Sequence, residues 1–178
     1  MIERTFITGF GPFGSIIENP SSKLAALARR PHKVLEVAYA AVDDFLSGLD
    51  GESFDRLLML GLASGRDRIT PELYARNVIG KSKDVRGKSR PGYIEAGSPL
   101  LLESTLWTPE VTSEIVAFDP LTKISMDAGT YLCNYIEYQA LRRFPKKLVG
   151  FLHVPTEDRV SLDMQAASLG RILDIVER

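Results

Sequence analysis

The sequence predicts an α/β fold: a three-layer α/β/α sandwich with a largely parallel central sheet, forming a single domain over residues 1–178. Three observations lead there. Strand-like and helix-like segments alternate with short connections, the pattern that stacks helices on both faces of a parallel sheet. Two runs, 57–60 (Leu-Leu-Met-Leu) and 148–152 (Leu-Val-Gly-Phe-Leu), are almost wholly apolar, as strands covered on both faces must be. Finally, 178 residues of which 44% are apolar suffice for one full core, and no internal repeat or linker interrupts them.

Taken in order, residues 5–8 form a first strand that ends in a Gly/Pro loop at 9–14. Ser21 and Ser22, after Pro20, are N-cap candidates for a helix through Arg30. A second strand is expected over 33–41 and a short helix over 43–49. The run from Leu57, stopped by Gly61, is the clearest strand. Residues 72–79 read as extended, and 80–97 as a polar loop punctuated by glycines. A short helix follows over 109–116, with Val111, Ile115 and Val116 on one face. Residues 123–126 read as a strand. Residues 130–143 form an amphipathic helix, with Leu132, Ile136 and Ala140 at i, i+4 spacing and basic residues near its end. A strand over 148–154 and a helix over 162–176 close the chain.

Composition excludes several functions. Lys plus Arg number 22 against 23 for Asp plus Glu, which leaves no electrostatic case for nucleic acid or an anionic membrane. No apolar run approaches the roughly 18–20 residues needed to span a bilayer. Residues 1–6 run directly into a strand-like segment without a leader pattern, so a cytoplasmic location is expected. The single cysteine, Cys133, excludes an intrachain disulfide and a multi-thiolate metal site. With only His32 and His153 besides, neither a metal nor a cofactor is expected.

The segment from Gly9 to Gly14 (Gly-Phe-Gly-Pro-Phe-Gly) matches G-x-G-x-x-G after a strand, which suggests a dinucleotide site. Its context opposes this. Residues 15–20 intervene before any helix, and Pro20 disfavours helix at Asn19. A plain turn is one alternative. The other is a loop that shapes a pocket, with Phe10 and Phe13 as an apolar wall at a strand's carboxyl end and Asn19 as a polar contact.

Cys133 falls where a strand gives way to a helix. A thiol in a first helical turn faces unpaired N–H groups and the positive end of the dipole, which favour thiolate and suit an oxyanion. A buried, inert cysteine is the plain alternative. His153 ends the strand 148–152, at the edge where helices begin, so it can share a rim with Cys133. A nucleophile and base of this kind need a third group to orient the imidazole. Glu72 is the best candidate, although the residues alone do not select it over the other carboxylates.

Together these residues resemble the pyroglutamyl peptidase I (pyrrolidone-carboxylate peptidase) family of cysteine peptidases. Four segments carry the resemblance in order: 8–14 with Asn19-Pro20-Ser21; 61–66 with Ile69-Thr70-Pro71-Glu72 and Asn77; Ser125 with 128–135; and 150–155. The resemblance implies that Cys133 is the nucleophile, His153 its acid–base partner and Glu72 the residue orienting His153. It places Phe10, Phe13, Asn19, Tyr131 and Leu132 around the substrate. The implied reaction removes N-terminal pyroglutamate from peptides through a thioester on Cys133. A related cysteine amidase acting on another small lactam or acyl-amide, or a non-catalytic relative, is the alternative. The implied partners are a peptide or small amide substrate and further copies of the chain, as a homotetramer.

Two departures stand out. The family's arginine, about ten residues after the glutamate, is absent from the basic stretch 80–88, leaving Lys83, Arg86 or Arg76 as substitutes. Asp127 lies close before the nucleophile, where an unpaired carboxylate would raise the thiol pKa.

Overall fold

In the computed structural model, residues 4–178 are described; Met1–Glu3, part of the segment without a leader pattern, lie outside them. In chain order the elements are β1 (Thr5–Phe10), α1 (Pro20–Leu27), β2 (His32–Leu35), α2 (Tyr39–Gly48), β3 (Arg56–Leu62), β4 (Thr70–Glu72) and β5 (Tyr74–Arg76). They continue with β6 (Leu101–Glu103), α3 (Pro109–Phe118), α4 (Leu132–Arg143), β7 (Leu148–Val154) and α5 (Leu162–Val176). Five strands make the central sheet in the order β2-β1-β3-β7-β4. All its pairings are parallel except β4 against β7. β5 and β6 form a separate antiparallel ribbon.

The apolar run of β3 follows from its position between two helical layers. Successive side chains leave a strand on opposite faces. Leu57 and Met59 accordingly join the core under α2 and α4, with Phe151 from β7. Leu58 and Leu60 join the opposite core under α1, α3 and α5, with Leu152. The three-layer arrangement expected from the sequence is therefore present, and Gly61 and His153 inherit the α4 side by the same alternation.

Local boundaries differ where distant groups intervene. The cap of α1 is Asn19, whose side chain accepts from the Ser21 N–H at 3.1 Å, and Pro20 occupies the first turn. The helix stops at Leu27, and Arg29 adopts a φ of 54°. The second strand ends at Leu35, and α2 starts at Tyr39, earlier than expected. Ala38 offers no side-chain cap; Asp84, from the 80–97 loop, accepts the Tyr39 N–H instead at 3.1 Å. Residues 123–126 are not a strand. They meet β4 through a single isolated bridge, Ser125 to Glu72, with the Ser125 N–H donating to the Pro71 carbonyl at 2.9 Å.

The glycine-rich loop turns out to serve packing. A Cβ on Gly9 would lie 2.4 Å from the Ser21 carbonyl oxygen, so α1 crosses β1 at a distance only glycine permits. The Phe13 and Ile16 backbones then pair across a tight turn before Asn19. Asn19 donates to the Gly11 carbonyl at 3.0 Å, tying loop to helix. Gly9→Ala forces backbone to separate from backbone. It is expected to destabilise the protein by about 1–3 kcal/mol, read as a lower denaturant midpoint at unchanged slope.

Candidate active site

The site is assembled over the carboxyl ends of the parallel strands. Gly61 in β3 lies opposite His153 in β7 in the parallel register, and neighbouring strands run about 4.8 Å apart. α4 begins at Leu132, so Cys133 is its second residue. A Cβ on Gly61 would stand 2.8 Å from the Cys133 Sγ and 2.5 Å from the Phe151 ring. The thiol thus rests on the one position of β3 without a side chain, one strand away from the imidazole. The N-cap of α4 is Tyr131, which makes no side-chain cap bond. The first N–H groups of α4 are therefore left uncapped beside the thiol.

His153 is buried against the Phe151 ring, with ring centroids 4.9 Å apart. Its Nδ1 lies 2.7 Å from Glu72 Oε1. A carboxylate at that distance selects the tautomer with the proton on Nδ1 and leaves the Nε2 lone pair free. Glu72 is wholly buried and pairs with Arg66 through the same oxygen. Arg66 also donates to Thr70 Oγ1 and, at 2.9 Å, to the Asp127 carbonyl.

Electrostatics set the resting protonation. Burial, reinforced by the charges of Glu72 and Glu137, pushes the Cys133 thiol up to about 12, against the opposing effects of Arg66 and its own N–H. Burial also lowers the His153 pKa below its ordinary value, with Glu72 opposing. At Cys133 desolvation thus opposes the helix terminus, and at both groups burial favours the uncharged form. Asp127 is not unpaired. Arg76 Nη2 holds its Oδ1 at 2.6 Å, and the same oxygen accepts the Gly129 N–H at 2.9 Å, bracing the turn before α4.

A cavity of about 480 Å³ opens over Cys133 and His153. Phe10, Phe13, Asn19, Tyr131 and Leu132 all line it, as the sequence reading places them. Glu72 stands behind His153, outside the lining. Asn19 contributes shape more than a free polar group, since its amide is engaged by Gly11 and Ser21. Of the three proposed substitutes for the missing arginine, Arg86 pairs with Glu36. Lys83 meets the site through its carbonyl, which accepts from the Tyr131 hydroxyl at 2.9 Å. The guanidinium that lines the cavity is Arg66, to which the sequence reading gave no role. The signal was present: Arg66 belongs to the same short run as Glu72, and a buried acid needs a counter-charge. Among the described residues no cluster of His, Cys, Asp and Glu is arranged to hold a metal ion.

Fold and site together define a cysteine-type hydrolase built on an α/β scaffold. A sequence model of the pyroglutamyl peptidase family matches residues 3–172, and the chain belongs to that family. The pyrrolidone-carboxylate peptidase of Thermococcus litoralis is 32% identical over 180 residues, covering 89% of this chain and 80% of its own. That of Vibrio vulnificus (strain YJ016) is 30% identical over 171 residues, covering 86% and 79%. The solved pyrrolidone carboxyl peptidase from Thermus thermophilus matches with a TM-score of 0.83 at 32% identity, over 96% of this chain and 98% of its own. The pyroglutamyl peptidase I structure from Bacillus amyloliquefaciens shares the fold with a TM-score of 0.86 at 24% identity, over 99% of this chain and 96% of its own.

Gly61→Ala tests the seating of the nucleophile. The added methyl displaces Sγ or the Phe151 ring, and misplacement by about 1 Å is expected to lower kcat about 100-fold. An unchanged circular dichroism spectrum beside that loss separates a misplaced thiol from a lost fold.

Proposed function

We propose that this pyroglutamyl peptidase hydrolyses N-terminal pyroglutamyl peptides with Cys133 as nucleophile, His153 as general base and acid, and Glu72 as the residue orienting His153. The observation that carries the assignment is the 2.7 Å contact from His153 Nδ1 to the buried Glu72, with Cys133 and His153 lining one cavity.

Since thiol and imidazole rest uncharged, the first step is general-base catalysis. His153 Nε2 takes the thiol proton as Sγ bonds to the carbonyl carbon of the scissile amide. The developing oxyanion is stabilised by the uncapped N–H groups of α4. On collapse, the carbon–nitrogen bond breaks, His153 returns the proton to the departing amine, and a thioester remains on Cys133. Water then gives a proton to His153 and attacks the thioester, releasing pyroglutamate; the thiolate recovers the proton. Glu72 supports the imidazolium formed in each step. The pyroglutamyl ring is a neutral, flat lactam, which suits walls of Phe10, Phe13 and Leu132 without a counter-charge.

Family resemblance supports association into a homo-oligomer, a tetramer. The need for a free thiol supports a reducing, cytoplasmic setting. No helix among the described residues is long and apolar enough to cross a membrane.

Release of a fluorescent amine from a pyroglutamyl amide is expected to vanish in Cys133→Ala. His153→Ala should lose about 10²–10⁴-fold in rate, and Glu72→Gln less. Turnover that survives in Cys133→Ala would remove the nucleophile assignment. In the wild type, kcat/KM should fall on the acid side as pH drops through a His153 pKa below 6.5, because only neutral imidazole accepts the thiol proton.

A further inference from the structure

One buried ionisable group near the site takes no part in the chemistry above. Glu137 lies four residues after Cys133 on α4, one helical turn further into the core. It is fully buried, and neither side-chain oxygen has a partner at full hydrogen-bond geometry, the Phe151 N–H making only a marginal approach. Among the carboxyl groups of the described residues, Glu72 Oε2 is the other oxygen in that condition. Two buried acids thus act on each other and on Cys133, and among the described residues only Glu72 has a cationic partner. Arg66 belongs to Glu72. From β5, also packed on α4, Arg76 is held by Asp127 and the Gly129 carbonyl. From α2, Asp43 is held by Arg90 and the Tyr135 hydroxyl. β7 offers His153, already bonded to Glu72, and the Phe151 N–H, which favours the Glu137 carboxylate only in part.

An isolated carboxylate in such surroundings is among the most costly groups a core can hold, whereas a protonated acid is tolerated. We propose that Glu137 is a positioning residue for Cys133: as an uncharged acid it fills the space beneath the nucleophile, and its conversion to carboxylate suppresses the thiol. This rests on the reading of Cys133 as nucleophile. Burial and the nearby Glu72 charge both hold the Glu137 carboxyl well above the usual carboxylate range. The influence is mutual, since the Glu137 charge also opposes ionisation of Cys133. A neutral Glu137 therefore leaves Glu72 as the one negative charge in the cluster, where His153 and Arg66 use it.

The test is Glu137→Gln, an uncharged isostere, with Glu137→Met as a second uncharged variant should the first fold poorly. Cys133 is the only cysteine, so iodoacetamide alkylation reads its thiol whether or not the protein turns substrate over. At about pH 9 the variant should alkylate about tenfold faster than wild type, the effect of one pKa unit. The alkaline limb of kcat/KM should move upward in pH. The carbonyl stretch of a protonated, buried acid should be present in the wild-type infrared spectrum at neutral pH and absent from the variant. Stability gives a fourth readout with a definite sign. A raised folded-state pKa means stability present below the unfolded value and lost as pH rises, so the melting-temperature advantage of Glu137→Gln should widen upward from about pH 4.3. Superimposable alkylation profiles, or no protonated-acid band in the wild type, would overturn the proposal. Retained hydrolysis by Cys133→Ala would instead overturn the nucleophile assignment and leave the alkylation result standing.

Discussion

A carboxylate with no exposed surface organises this site. Removing the Glu72 charge from water costs several kcal/mol unless partners replace the lost hydration. Arg66 and His153 do so at a single oxygen, Oε1. Because Arg66 also reaches Thr70 and the Asp127 carbonyl, one guanidinium joins the turn after β3, the start of β4 and the segment leading into α4. The antiparallel insertion of β4 beside β7 has the same consequence. Its register sets Glu72 opposite Phe151 and Thr70 opposite His153, so the acid arrives on the inner face, one diagonal step from the imidazole.

That carboxylate acts on the two reacting groups in opposite senses. It favours a charged imidazole and disfavours a thiolate. A helix terminus contributes roughly 0.3–1 kcal/mol toward an anion, whereas burial can move a pKa by several units. Desolvation therefore outweighs the helix terminus at Cys133 and favours its thiol form.

The central architecture was legible because its cause is local. The apolar runs of β3 and β7 reflect burial on two faces, and the carboxyl ends of parallel strands place His153 and Cys133 on one rim. The features that escaped depend on contacts remote in sequence. Asp84 caps α2 from the far side of the chain, so no local signal marked its start. Residues 123–126 have the composition of a strand but meet β4 through a single isolated bridge, Ser125 to Glu72, and the backbone hydrogen bond from Ser125 to Pro71. Glu72 was singled out by resemblance, since a nearby arginine such as Arg66 accompanies solvated acids as often as buried ones. The choice between an activated and a buried Cys133 was open for the same reason: depth is a property of the folded molecule.

The rim shows how the Asp127 carboxylate, close before Cys133, is held by partners of its own. Its carboxylate is shared between Arg76 and the Gly129 amide, and Gly129 adopts a φ of 85° in the turn that delivers Tyr131 to the cap of α4. The charge is used to hold that turn. The influence of Asp127 falls on His153, where it supports the imidazolium, and it is absent among the principal causes acting on Cys133. Arg76 thus stabilises the backbone that presents the nucleophile, while Arg66 supplies the cation at the cavity wall. Between them the cavity is walled by the apolar side chains of Phe10, Phe13 and Leu132, with the rim carboxylate of Asp127 held by Arg76.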